Sequence, residues 1–272
     1  MVITMINQKL YIKEMKRNIT LFAIFGGLLL MYGTIVSSMF SPDPDAANWM
    51  DAFIDLYPEM MDFIGFNVDN LTNYQSFVGG YLYGMLLLLF GLIFIILLMN
   101  RLLFRYLDNG AFVYYLTTPN SRIKVLLSQL AVILTYVVIF VTTIVLILGI
   151  SGAINFPAYV DWPQLLYLNF SYFMLLNLIV AVSFAVVTIF EGRLASGLLT
   201  GLNVVLFVLK LISNLGSEYE FIKYLTPYSL FDVDKVLAYD VIAIYHNVGL
   251  LLMSLLLYAV SIYVFKRKDL SL

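Results

Sequence analysis

The chain has 272 residues, of which 62% are hydrophobic and only 12% are charged, and its formal net charge is −2. A soluble domain is about half apolar and about a quarter charged, and a globule of this size needs more polar surface than this chain can supply. The composition therefore excludes a soluble globular domain and predicts that lipid surrounds the protein. The chain has no cysteine, so disulfides, thiolate nucleophiles and cysteine-ligated metals are excluded.

Six apolar stretches are long enough to cross a bilayer, which takes about 20 helical residues. They lie at 19–40, 77–99, 123–150, 165–189, 195–212 and 241–265. We therefore predict an all-α integral membrane protein with a single transmembrane domain. The fifth stretch is the weakest because it contains Gly197, Gly201 and Asn203 and meets Lys210 before it ends. A buried or partly re-entrant helix is the alternative there.

The basic residues gather on one side of these spans. That side carries Lys9, Lys13, Lys16, Arg17, Arg101, Arg105, Arg122, Lys124, Arg193, Lys266, Arg267 and Lys268. Only Lys223 and Lys235 lie on the other side, with Lys210 near it, and most of the acidic residues fall in the loops there. By the positive-inside rule the basic side is cytoplasmic, so we expect a multi-pass protein of a bacterial cell membrane with both termini in the cytoplasm. The first apolar run is too long for a signal peptide, so we expect it to be retained.

The segment 1–18 is predicted to be an amphipathic helix on the inner membrane surface. Its apolar stripe consists of Met5, Ile12, Met15 and Ile19. The cations of the segment are Lys9, Lys13, Lys16 and Arg17, with the three lysines on the far side. The alternative is a positively charged flank of the first span.

The loop 41–76 is predicted to form an acidic amphipathic helix on the outer interface. Its apolar positions are Trp49, Phe53, Leu56 and Met60. Its carboxylates are Asp51, Asp55, Glu59 and Asp62. Their spacing does not match a calcium loop, so we interpret them as solvated acidic surface rather than as a cation site.

The connection 100–122 contains an apolar, aromatic run at 111–116 that is too short to span a bilayer. Gly110 and Pro119 bracket this run as helix breakers. Aromatic residues with a polar rim on the cytoplasmic side predict a protein-docking surface. The second cytoplasmic connection, from Glu191 to Ala195, is short enough to provide only a small contact.

Catalytic motifs are lacking in this sequence. There is no P-loop motif, and His246 is the only histidine, so we predict no catalytic centre and no metal site. We interpret His246 as an interfacial residue satisfied by neighbours or water, with a protonation role as the alternative. The main strongly polar residues deep in the predicted spans are Asn177, Asn203 and Lys210, and the absence of carboxylates there argues against an ion-coupled carrier. Lys210 either extends outward along its methylene stem or faces the interior to meet an anionic substrate group.

Four segments carry a resemblance to the ABC-2 permeases, the membrane subunits of type-2 ABC exporters. They are LYPEMMDFIGFNVDNLTNYQSFVGGYLYG before the second span, NGAFVYYLTTPNSRIKVLLSQL at the coupling-helix region, IKYLTPYSLFDVDKVL before the last span, and FKRKDLSL at the C-terminal end. Together with six spans and the basic N-terminal segment, their order resembles this family over nearly the whole chain.

The resemblance implies that two permease chains pair, as a homodimer or a heterodimer, and that a separate cytoplasmic ATPase binds ATP and Mg²⁺. The contacts with this ATPase would be made by Asn109, Gly110, Phe112, Tyr114, Tyr115, Leu116, Pro119, Arg122, Glu191 and Arg193. The segment 214–240 would be an outer re-entrant segment, with a mouth formed by Tyr224, Pro227, Tyr228 and Phe231.

The chain itself would be a transport subunit rather than an enzyme, with lipid and the ATPase as partners and no nucleic acid. We expect export of a hydrophobic or amphipathic compound or peptide, such as an antimicrobial or cytolytic peptide. The competing hypotheses are a secondary carrier, and a membrane anchor or sensor that uses the acidic outer loop.

Overall fold

The computed structural model describes residues 6–42, 56, 57, 60, 63, 73–108, 121–215 and 218–268. Six helices in this part are long and apolar enough to cross a membrane: α1 (Gln8–Met39), α2 (Leu86–Asp108), α3 (Arg122–Asn155), α4 (Trp162–Ile189), α5 (Gly192–Ile212) and α6 (Val241–Arg267). No strand occurs among the described residues. The predicted all-α class and the six span-length helices are confirmed.

Polar caps set where these helices begin. Side-chain oxygens of Asn7, Ser121, Asp161 and Asp240 accept hydrogen bonds from backbone N–H groups in the first turns of α1, α3, α4 and α6. Such caps satisfy amide groups that have no partner inside the helix. At the first residue of α5, Gly192 has φ +55, a conformation that glycine adopts without strain. This sharp turn allows α5 to follow α4 directly.

The first span starts earlier than predicted because Asn7 caps a continuous helix of 32 residues. The predicted N-terminal helix and the first span are therefore parts of one helix in the structure. Ile12 and Ile19 are exposed on it. The face that packs on the bundle instead carries Leu10, Glu14, Asn18, Leu21 and Phe25. Whether the first turns lie on a membrane surface stays a prediction.

The second span is irregular. A short helix at Tyr74–Val78 runs into a π-helical segment at Gly79–Tyr83, and the helix restarts at Leu86 after Met85 leaves helical geometry with φ −133. A second π-helical segment, Asn100–Phe104, precedes the last turn at Arg105–Asp108. π-Segments insert an extra residue into a helical turn and are frequent at functional sites.

The long helices alternate in direction. α1 and α3 run parallel, with the Asn7 amide donating to Ser128 Oγ at 2.7 Å near their starts and Gly33 beside Ile147 near their ends. α4 runs parallel to α2 and to α6, with contacts between their early parts and between the ends of α4 and α6, and it is the most buried of the six. One end of the bundle, here called the basic end, therefore holds the starts of α1, α3 and α5 and the ends of α2, α4 and α6.

The fifth helix spans 21 residues without a break. At about 1.5 Å per residue it is about as long as the hydrocarbon core of a bilayer is thick. The prediction of a fifth span-length helix is thus confirmed. Gly197 and Gly201 lie on its exposed face with no atom near the position of an added Cβ.

The predicted loop segments are described only in part. Of the helix expected at the outer interface, the structure describes Leu56, Tyr57 and Met60, all exposed. Trp49, Phe53 and the four carboxylates named above lie outside the described residues. Before α6 the chain forms two 3₁₀ turns, Glu220–Leu225 and Pro227–Leu230, and a short helix, Val233–Leu237. Whether this segment enters a bilayer stays a prediction.

Candidate functional site

Both connections predicted to contact an ATPase leave and re-enter the bundle at the basic end. The first follows Asp108 of α2 and rejoins the described chain at Ser121, before α3. The second is the tight turn between α4 and α5. Seven predicted contact residues lie outside the described residues: Asn109, Gly110, Phe112, Tyr114, Tyr115, Leu116 and Pro119.

Two of the remaining predicted contact residues meet at Lys268. The Lys268 ammonium lies 3.0 Å from a carboxylate oxygen of Glu191, and the Arg122 guanidinium donates to the Lys268 carbonyl at 2.9 Å. Arg193 is exposed and has no ion pair with any described residue. The structure therefore brings Arg122 and Glu191 together through a lysine that sequence reasoning did not assign to the site.

Lys268 also closes the end of α4. Its ammonium donates to the carbonyls of Thr188, Ile189 and Phe190 at 3.2–3.3 Å. A cation at a helix C-terminus satisfies carbonyls that have no partner inside the helix and interacts favourably with the helix dipole. One side chain thus ties the end of α6 to the end of α4, while Arg122 ties the start of α3 to the same point.

Glu14 is a second feature of the basic end that sequence reasoning missed. Its side chain is 0% exposed, and its Oε1 accepts a hydrogen bond from the Tyr106 hydroxyl at 2.9 Å. The Arg17 guanidinium lies 3.5 Å from the same oxygen and also donates to Tyr106. Glu14 Oε2 is buried without a hydrogen-bond partner. One carboxylate oxygen of Glu14 therefore binds the last turn of α2, while the other oxygen makes no hydrogen bond.

The signal for Glu14 was present in the sequence. The buried residues Leu10, Leu21, Phe25 and Leu29 recur at helical spacing, and a stripe drawn through them also passes through Glu14. The basic residues nearby concealed this stripe because they favoured an interpretation of the segment as a surface helix.

Most other cations of the basic end are free of carboxylates. Within the described part of the chain, the exposed basic side chains of this end without an ion pair are Lys9, Lys13, Lys16, Arg101, Arg105, Arg193, Lys266 and Arg267. Clustered charge of one sign creates a field that attracts anionic surfaces. The basic end therefore presents a positive rim.

The predicted mouth residues divide into two groups. Tyr224 is 81% exposed and Pro227 starts a 3₁₀ turn, whereas Tyr228 and Phe231 are buried. Phe231 packs on Tyr83 and Tyr172. Because Tyr228 and Phe231 fill the bundle, Tyr224 is the mouth residue of the four that is most open to a ligand.

Lys210 lies at the same end. Its ammonium donates to Asn214 Oδ1 at 3.1 Å, one turn further toward the end of α5. Lys235 forms an ion pair with Asp232 at 2.9 Å. Burial alone would raise the pKa of Asp232, but hydrogen bonds from Lys235 and the charges of Lys235 and Lys210 hold that pKa below its ordinary value.

Inside the bundle, neutral polar side chains join α4 to its neighbours. Asn203 donates to Ser183 Oγ at 3.0 Å and Asn247 to Ser171 Oγ at 2.8 Å, while the Tyr258 hydroxyl donates to Asn177 Oδ1 at 3.1 Å. Such bonds stabilise helix pairs in membranes. His246 is partly buried, and its Nδ1 has no partner.

Among the described residues, no group of three or more His, Asp or Glu side chains is placed to hold a metal ion. In comparisons with known proteins, no family model, no curated protein and no solved structure matches the chain.

Proposed function

We propose that this chain is the membrane-spanning subunit of an ATP-driven exporter of the ABC-2 kind, with the basic end in the cytoplasm. A separate ATPase docks there on the segment 109–118 and on the turn between α4 and α5. ATP-driven movement of the ATPase then opens a path for a hydrophobic or amphipathic cargo, between two paired permease chains.

The observation that carries the proposal is the joining of helix ends at Lys268. Both predicted docking connections start and finish at the basic end, and the contacts of Lys268 with Glu191 and Arg122 join α3, α4 and α6 there. A force applied at either connection is therefore delivered to several helices together, as an external energy source requires.

The charge distribution supports the same proposal. Apart from the first three turns of α1, which hold Glu14, and the end of α2 from Arg101 onward, the six long helices carry Asp, Glu, Lys or Arg only in their terminal turns. Ion-coupled carriers place carboxylates near the midplane to bind the coupling ion. An energy source outside the chain accounts for their absence.

The test is co-purification of the full-length chain with a P-loop ATPase from its own cells. The double variant Tyr114→Ala and Tyr115→Ala is expected not to co-purify with the ATPase, because it removes two aromatic side chains from the segment 111–116 that would contact it. A matched control, Tyr219→Ala with Tyr245→Ala, removes two exposed tyrosines far from the basic end and is expected to retain it. Equal ATPase binding by both double variants would refute the docking assignment.

A second candidate is a proton- or sodium-coupled carrier, and Glu14 is the observation that favours it. A fully buried carboxylate with an unused oxygen is a suitable site for a coupling ion. This candidate predicts transport by the chain alone in liposomes under an ion gradient, with loss of transport in Glu14→Gln. The exporter predicts no transport until the ATPase and ATP are added.

A further inference from the structure

We draw no further inference here: the strongest candidate, the exposed face of α5 that carries Gly197 and Gly201, is a stripe of small residues, and nothing in the described part of the chain shows what covers it.

Discussion

The two ends of the bundle are held together by different interactions. At the basic end, directional polar contacts join the helices: Lys268 on the end of α4, Arg122 on Lys268, and Tyr106 on Glu14. At the opposite end, aromatic packing adds to hydrogen bonds such as that from Gln164 to the Leu237 carbonyl: Phe40 packs edge to face with its neighbours, and Phe231 packs tilted on Tyr172. Polar side chains can exchange their present contacts for contacts with a partner protein. Aromatic rings that are packed against one another are not available for such contacts. This difference favours the basic end as the end that receives a partner.

The comparison predicts that truncating a buried ring at the opposite end has the largest effect. Phe231→Ala leaves a cavity between Tyr83 and Tyr172 and is expected to lower the free energy of unfolding by about 3 kcal/mol. Denaturant unfolding in detergent micelles measures this. Tyr224→Ala, on an exposed ring seven residues earlier, is expected to change stability by less than about 0.5 kcal/mol. Similar losses in the free energy of unfolding for Phe231→Ala and Tyr224→Ala would show that buried aromatic rings do not stabilise the end of the bundle opposite the basic end.

At the basic end, the contacts of Lys268 are expected to matter most. Lys268→Ala removes the donor to three carbonyls at the end of α4, two of them in partly buried contacts, and is expected to lower the free energy of unfolding by about 2 kcal/mol because these acceptors lose their charged partner. The neighbouring exposed Lys266, changed to Ala, serves as the control and is expected to have little effect. If neither Lys268→Ala nor Lys266→Ala lowers the free energy of unfolding in the same assay, Lys268 does not stabilise the contact between α3, α4 and α6.

A smaller effect is expected at the junction of α1 and α2. Tyr106→Phe removes one hydrogen bond to Glu14 and is expected to cost about 1 kcal/mol, with the ring kept in place. Tyr219→Phe removes a hydroxyl from an exposed ring and is the matched control. Protease cleavage near the end of α2 gives a local readout, since loss of the bond releases that turn. Unchanged cleavage in Tyr106→Phe would contradict a holding role for Glu14.

The smallest effect is a pH dependence at the opposite end. The pKa of Asp232 is lower in the folded chain than its ordinary value, so its contribution to stability is present above the unfolded pKa of about 4 and is lost as the pH falls through the folded pKa. Thermal unfolding between about pH 6 and about pH 3 is expected to show this loss, reduced in Asp232→Asn. Lys235→Gln is expected to reduce it as well, because it removes the main partner. An identical pH profile for all three proteins would mean that the ion pair contributes nothing.

The six long helices could be predicted from the sequence because a bilayer requires about 20 apolar residues in a row. The start of α1 could not, since the cap at Asn7 extends the helix through residues whose charge suggested a surface segment. The bond between Tyr106 and Glu14 and the junction at Lys268 depend on how α1 packs on α2 and how α6 packs on α4. Such contacts between distant parts of the chain leave no local pattern. For the same reason, the sequence did not show that Tyr224 of the predicted mouth is exposed while Phe231 is buried.

The central claim is that the basic end faces the cytoplasm, where an ATPase can reach it. The chain has no cysteine, so a single introduced cysteine reports its own side of the membrane. Lys266→Cys at the basic end and Tyr224→Cys at the opposite end are both exposed positions for a membrane-impermeant maleimide. The account predicts that intact cells label Tyr224→Cys at once and label Lys266→Cys only after permeabilisation. Labelling of Lys266→Cys in intact cells, with Tyr224→Cys protected, would contradict it.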